Sequence, residues 1–225
     1  MTEPNLQLET CPLNADDCVW LHELASLRQQ NQNLQQLVTT DTLTGLYNYR
    51  YFRDLLSREM ESTLRTGRAC CLIMIDIDHF KSVNDKWGHE AGNQALIVAA
   101  NVFRQTVRVT DVVCRYGGEE FIAVLPQTTL PVAVRVAERM RECLEQSSVQ
   151  HEDDTFQLTA SFGVGIYSGE TESTLESLVD SVDQYLYQAK QQGRNRVCHA
   201  DFATIKQETT VSADEKSALF NYSDD

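Results

Sequence analysis

The sequence lacks an apolar run of the length, about 18 residues, that a membrane-spanning helix needs. Its first residues also lack the basic and apolar regions of a secretory signal. Basic residues are few, since 19 lysines and arginines stand against 33 acids and leave a net charge of -14. DNA, RNA and anionic lipids attract basic surfaces, so this charge argues against nucleic-acid and membrane partners. We therefore expect a cytoplasmic protein.

A disulfide framework is also missing from the pattern. The seven cysteines are odd in number and scattered, and some lie in apolar runs, so reduced and mostly buried thiols are expected. The 225 residues, 42% of them hydrophobic, suffice for one packed core with appendages.

The first 40 residues divide into two segments by their pattern. Residues 1–17 are polar and show no period, which predicts a flexible leader. Residues 18–40 are expected to form a helical stalk, because apolar side chains recur there with heptad spacing. The a positions are Leu24, Asn31 and Val38, and the d positions are Trp20, Leu27 and Leu34. This pattern favours a short parallel coiled coil, with a single helix packed on its own domain as the alternative.

Residues 41–200 have the pattern of one mixed domain. An apolar run at 71–78 predicts a central strand buried on both faces, and a helical pattern follows it. Two apolar runs flank Gly117 and Gly118, which predicts a hairpin. A helix at about 131–145, a strand at about 156–166 and a helix at 175–189 complete a β-α-β-β-α-β order. We predict an α+β fold, a ferredoxin-like or palm-type antiparallel sheet wrapped by helices. Residues 201–225 are weakly periodic and acidic, which indicates a poorly ordered tail.

Four carboxylates lie where this fold would bring them together. Asp76 and Asp78 end the predicted central strand, and Glu119 and Glu120 lie at the tip of the neighbouring hairpin. Mg²⁺ takes oxygen ligands from one or two carboxylates and from substrate phosphates. The cluster therefore indicates magnesium-dependent phosphate chemistry. The alternative is that these acids only lie on solvated strand ends.

The run RYGGEEF at 115–121 resembles the signature of the GGDEF family of diguanylate cyclases, and four further segments match the family in order. They are DTLTGL at 41–46, DIDHFKSVND at 76–85, GHEAGN at 88–93 and AKQQGRNRV at 189–197. The resemblance covers roughly residues 39–198, and five ordered segments are far more specific than one signature. It implies an enzyme that condenses two GTP molecules into cyclic di-GMP and two pyrophosphates, with two Mg²⁺ or Mn²⁺ ions per active site.

The resemblance also implies the roles of individual residues. The implied metal ligands are Asp76, Glu119 and the backbone carbonyl of Ile77. Glu119 and Glu120 would be catalytic acids, and Lys81 would stabilise charge that develops on the phosphoryl oxygens.

Substrate contacts are implied at eight further positions. They are Phe80, Asn84, His89, Asn93, Gly117, Gly118, Lys190 and Arg194. Without the resemblance, the Lys190 and Arg194 pair would be an ordinary solvated helix end. The family usually has Asp at the position of Asn93, and a carboxamide cannot accept from both N–H groups of guanine's pairing edge. A cyclic dinucleotide synthase with relaxed base selectivity is therefore one alternative, and a catalytically inactive cyclic di-GMP receptor is another.

Regulation is implied at a second set of residues. Arg108 and Asp111 match the family's inhibitory RxxD motif, and Arg139 matches a second arginine that helps to bind product. Without the resemblance, the RxxD pair would be a surface ion pair. Because one domain holds one GTP, two domains must face each other, so we expect a homodimer joined through the stalk. Control would then come from the leader, from self-association or from a partner such as an upstream sensor protein.

Overall fold

The computed structural model describes residues 23–28, 30, 39–169 and 173–200. Within the predicted stalk, residues 23–28 and 30 are helical, and the heptad residues Leu24 and Leu27 are exposed. The leader, the tail and most of the stalk lie outside the described residues, so coiled-coil pairing stays a prediction.

The described chain folds into one mixed domain whose elements alternate along the sequence. Its helices are α1 (Tyr49–Thr66), α2 (Phe80–Thr106), α3 (Leu130–Gln146) and α4 (Leu175–Gln191). Its strands are β1 (Cys70–Ile77), β2 (Val112–Arg115), β3 (Glu120–Leu125), β4 (Ser148–His151), β5 (Asp154–Gln157), β6 (Ala160–Tyr167) and β7 (Val197–His199). None of the described helices has both the length and the apolar character that a bilayer crossing requires.

The main sheet has the strand order β2-β3-β1-β6-β7. β1 lies at its centre and pairs antiparallel with both β3 and β6, while β7 joins the edge of β6 in parallel. The predicted α+β fold and its β-α-β-β-α-β order are confirmed.

Helices cover both faces of this sheet because β1 presents apolar side chains in both directions. Ile73 and Ile75 face a core shared with α2 and α3, and Leu72 and Met74 face a second core shared with α1 and α4. The central strand is thereby almost completely removed from water, and its carboxyl end, where the apolar run stops, meets solvent.

Two details differ from the sequence prediction. The single strand expected at about 156–166 is two strands, because β5 pairs with β4 in a separate hairpin and only β6 enters the main sheet. β4 and β7 were not predicted, and with four and three residues they are too short to show a period. Phe156 of β5 instead stacks on Trp87 of α2, with ring centroids 5.6 Å apart.

α4 lies unusually close to β6. A side chain at Gly163 would overlap the carbonyl oxygen of Val182 and the backbone nitrogen of Leu186. Because glycine occupies that position, the helix backbone rests directly on the strand. This contact sets the depth at which the carboxyl end of α4 meets the end of β1.

Candidate active site

Acidic side chains converge at the carboxyl end of β1. Asp76 pairs in register with Glu120 of β3, and the Ile77 N–H donates to the Glu119 carbonyl at 3.3 Å. Like charges on directly opposed strand residues destabilise a sheet. An acidic pair at this position therefore points to a function that outweighs its cost.

The electrostatics of the pair show excess negative charge. Burial raises the pKa of Asp76, and Glu119 and Asp78 raise it further, against the opposing ion pair with Lys190. Burial likewise raises the pKa of Glu120, and the charge of Asp76 adds to the effect. The Lys190 Nζ lies 2.8 Å from Asp76 Oδ2. Additional positive charge would stabilise the ionised carboxylates.

This donor set fits a divalent cation that also takes ligands from a substrate. Among the described residues, no group of three or more His, Cys, Asp or Glu side chains is arranged to hold a metal alone. Mg²⁺ typically binds one or two carboxylates and completes its shell with water and phosphate oxygens. Asp76, Glu119 and the carbonyl of Ile77 are the groups that would supply protein oxygens here.

The glycine turn between β2 and β3 is fixed by one arginine. Arg115 donates from Nε to the carbonyls of Gly117 and Gly118, at 3.1 Å each, and from a terminal nitrogen to Gly118 at 2.7 Å. Its other terminal nitrogen contacts both carboxylate oxygens of Asp41 at 3.1 Å. A Cβ at Gly117 would lie 2.6 Å from Glu120 Oε2. The turn is thus held in place while its glycines leave room for the acids.

The first turns of α2 carry the next group of predicted residues. Phe80 is buried, Lys81 is exposed and Asn84 is half-buried. The helix is broken at Gly88, where φ is 84°, and it resumes so that Gly92 lies against Asn84. A side chain at residue 92 would overlap Asn84 Oδ1. The structure therefore brings Phe80, Asn84 and Gly92, near the end of GHEAGN, together.

Two predicted nucleotide contacts on this helix, His89 and Asn93, are exposed. The end of α4 supplies the last predicted contacts, Lys190 and Arg194. Lys190 reaches the acidic pair, whereas Arg194 is exposed in the following turn with a φ of 63°.

The expectation that four carboxylates converge is wrong for Asp78. Its side chain is 6% exposed and accepts hydrogen bonds from Thr159 Oγ1, Ser161 Oγ and the Asn195 N–H. These donors occupy the carboxylate, so Asp78 is a buried structural acid rather than an open ligand. Three of the four predicted acids remain at the open end of the sheet.

The predicted inhibitory residues line two adjoining cavities. Arg108 and Arg139 lie along a groove of ≈ 860 Å³ between α2 and α3, together with Arg135. Asp111 is buried and lines a neighbouring pocket of ≈ 330 Å³, where its Oδ2 accepts from the Arg108 N–H at 3.1 Å. Arg139 donates to the carbonyl of Thr106. The arginines thus share one groove, while the Asp111 carboxylate closes the RVTD turn.

Sequence reasoning did not single out Arg135, Asn195 or the bridging role of Arg115. Arg135 lies one helical turn before Arg139, and that spacing could have indicated a shared face. The contacts of Arg115 and Asn195 reach residues far away in the sequence, so no local pattern could have indicated them.

Comparison with known families agrees with this geometry. Residues 38–196 match the family described as diguanylate cyclase, GGDEF domain. The chain belongs to the GGDEF family. Diguanylate cyclase A of Treponema denticola is 38% identical to it over 177 residues, which cover 77% of this chain and 47% of that protein. The chain thus spans less than half the length of this curated relative.

Solved GGDEF structures superpose on most of the described fold. The coiled coil and GGDEF domain of DgcB from Caulobacter crescentus, in complex with c-di-GMP, has a TM-score of 0.76 and 30% identity, and covers 80% of this chain and 95% of that one. Diguanylate cyclase SiaD of Pseudomonas aeruginosa, in complex with its activator SiaC, has a TM-score of 0.72 and 35% identity, with 81% and 69% covered. The resemblance inferred from the motifs and the predicted fold class are both confirmed.

Proposed function

We propose that this GGDEF domain is a diguanylate cyclase that condenses two GTP molecules into cyclic di-GMP. The observation that carries the proposal is the opposed pair of Asp76 and Glu120 beside the glycine turn, with Lys190 against it. Its family relatives include a protein named diguanylate cyclase A and a GGDEF structure in complex with c-di-GMP. Both the chemistry of the site and the family support the same reaction.

In this reaction the 3′-hydroxyl of each GTP attacks the α-phosphorus of the other, so that two phosphodiester bonds form and one pyrophosphate leaves in each attack. Lys81 stabilises the charge on the phosphoryl oxygens, and Lys190 with Arg194 binds the phosphate tail. Gly117 and Gly118 let the backbone approach the nucleotide, and Phe80, Asn84, His89 and Asn93 lie around the base. These roles are assigned by matching each residue to the family motifs.

A divalent cation, Mg²⁺ or Mn²⁺, two per site, completes the proposal. Asp76, Glu119 and the Ile77 carbonyl would hold these ions, with Glu120 as a further acid. When bound, the metal supplies charge compensation for the triphosphate. Members of the family use divalent metals in general. Burial and neighbouring carboxylates raise the pKa values of Asp76 and Glu120, so a cation beside them would stabilise their charged forms.

Catalysis requires two such domains, because each site holds one GTP. We assign dimerisation to residues 18–40, ahead of the catalytic domain at 41–200 and between the leader at 1–17 and the tail at 201–225. The DgcB structure, which contains a coiled coil beside its GGDEF domain, is consistent with this organisation. The SiaD structure contains an activator protein, which makes a protein partner a reasonable source of control here.

Product inhibition is the proposed role of the arginine groove. Arg108 and Arg139 present guanidinium groups, which bind phosphate in bidentate fashion. Asp111 contributes by fixing the turn that carries Arg108. Cyclic di-GMP has two phosphates and suits a groove with arginines on both walls.

The test is to incubate the protein with Mg²⁺ and GTP, ATP or both, and to identify the products by mass spectrometry. We expect cyclic di-GMP from GTP, reduced at least about 100-fold in Glu119→Gln because an acid at the reacting centre is lost. Glu61→Gln, an exposed change on α1, serves as the matched control.

The same experiment decides between the alternatives. A mixed dinucleotide that reverts to cyclic di-GMP in Asn93→Asp would show relaxed base selectivity. Binding of cyclic di-GMP without any product from a dimeric sample would show a receptor, and would refute the cyclase.

A further inference from the structure

The turn between α4 and β7 contains three successive residues with positive φ. Gly193, Arg194 and Asn195 have φ values of 114°, 63° and 46°. Side-chain-bearing residues rarely adopt left-handed conformations, and two in succession need contacts that hold them there. The turn carries Arg194, directly before Asn195. The contacts that hold Asn195 therefore fix the backbone next to the Arg194 cation.

Asp78 is the inner contact of this turn. Its Oδ2 accepts from the Asn195 N–H at 3.0 Å and from Thr159 Oγ1 at 2.9 Å, and its Oδ1 accepts from Ser161 Oγ at 2.7 Å. The carboxylate is buried, and it accepts from two hydroxyl groups and one backbone N–H. Hydrogen bonds to a carboxylate are charge-assisted and therefore strong. The peptide unit before Asn195 is thereby fastened to the end of the central strand.

Glu145 of α3 is the outer contact. The Asn195 Nδ2 donates to Glu145 Oε1 at 2.8 Å, and Arg141 donates to Asn195 Oδ1 at 3.3 Å. Arg141 also pairs with Glu145 at 2.9 Å, so the two side chains support each other. Asn195 is consequently held from its backbone by Asp78, just after β1, and from its side chain by α3.

The two acids of the DID run fasten this region at two points. Asp76 contacts Lys190 at the last turn of α4, and Asp78 contacts Asn195 in the turn beyond it. The end of α4 and the turn that follows it are therefore held separately, α4 by Asp76 and the turn by Asp78.

We propose that Asp78 and Asn195 are positioning residues, which fix the α4–β7 turn so that Arg194 faces the phosphate tail of the nucleotide. The proposal rests on the proposed function, because the role of Arg194 as a phosphate contact belongs to it. Asp78 and Asn195 contact each other and neighbouring protein groups, and they act on the nucleotide only through the turn.

The first test measures binding of a non-cleavable GTP analogue by titration calorimetry, with Tm recorded for each variant. Asp78→Ala should weaken binding about tenfold, the effect of losing a charge-assisted hydrogen bond. Asp78→Asn should bind within about threefold of the wild type, because the carboxamide oxygen can still accept from Asn195 and its NH₂ can donate to Ser161. Equal losses in both variants would overturn the proposal.

A double-mutant cycle separates positioning from general destabilisation. If Asp78 acts through Arg194, the double variant Asp78→Ala/Arg194→Ala should bind about as weakly as Arg194→Ala alone, within about twofold. Losses that multiply would show independent effects and would overturn the positioning role. No effect of Arg194→Ala would instead refute the proposed phosphate contact, whereas an effect of Arg194→Ala without one of Asp78→Ala would refute the positioning role only.

A surface variant keeps the test open if Asp78→Ala fails to fold. Glu145→Ala removes the outer contact, and Glu142→Ala is its matched control, since both pair with Arg141 but only Glu145 contacts Asn195. We expect weaker binding, about two- to threefold, and faster amide hydrogen exchange across residues 191–197 in Glu145→Ala alone. Identical exchange and binding in the two variants would refute the outer contact.

Discussion

The carboxyl end of β1 and the groove between α2 and α3 carry opposite charges in a chain of net charge -14. At the first, Asp76 and Glu120 oppose each other and Lys190 is the cation in contact. At the second, Arg108, Arg135 and Arg139 share one groove, and among the described residues none of them forms an ion pair with a carboxylate. Each region concentrates one sign of charge at some cost, which is typical of sites whose counter-charge arrives with a ligand.

The sign of the surface charge alone therefore does not identify which of the two regions binds phosphate. The acidic edge can bind a triphosphate only with cations between the two, whereas the arginine groove can bind phosphate directly. The two regions should therefore respond differently to substitution.

The largest effect is expected at the acidic edge. Asp76→Asn should lower the rate of pyrophosphate release at least about 100-fold, because it removes a carboxylate that we propose as a cation ligand. Its Tm should stay equal or rise, since the raised pKa of Asp76 means that the charged form costs stability. Lys190→Met should also lower the rate but reduce Tm, because it leaves the Asp76 charge without its partner. A large fall in Tm for Asp76→Asn would contradict this account.

Substitutions in the arginine groove should weaken inhibition by product, and the size of this effect should be intermediate. Arg139→Ala and Arg135→Ala should each raise the cyclic di-GMP concentration for half-inhibition about tenfold, because a charge-assisted contact to phosphate is lost. Initial rates with added product measure this, with the exposed Arg65→Ala as the control. Unchanged inhibition in both groove variants would remove the groove from the proposal.

The smallest effect concerns Arg115, which lies on the acidic side but is paired. Asp41 has a lowered pKa: burial raises it, but hydrogen bonds from Thr44 and the Arg115 charge outweigh burial. Asp41→Asn should cost about 1 kcal/mol at pH 7, given the part-buried ion pair in which one Arg115 nitrogen contacts both carboxylate oxygens. A depressed folded-state pKa contributes stability above the unfolded value, about 4, and loses it below. The Tm difference from wild type should therefore shrink as the pH falls below about 4, and a constant difference would contradict the ion-pair explanation.

Much of the architecture was predictable because its signals are local. The apolar run of β1, the Gly-Gly hairpin and the periodic faces of α3 and α4 are each local to one element or one turn, so they predicted the β-α-β-β-α-β order along the chain. The short strands β4 and β7 gave no such signal, since each depends on pairing with another strand rather than on its own pattern.

The candidate site likewise has some features that follow from the sequence and others that follow only from the fold. The sequence by itself determined that acids follow the central strand and that glycines precede Glu119, because these are facts of residue order. Only the tertiary structure decided that Asp76 is open to a cation and Asp78 is not. The two are the same residue type two positions apart, and their difference arises from donors at residues 159, 161 and 195, which only the folded chain brings to Asp78.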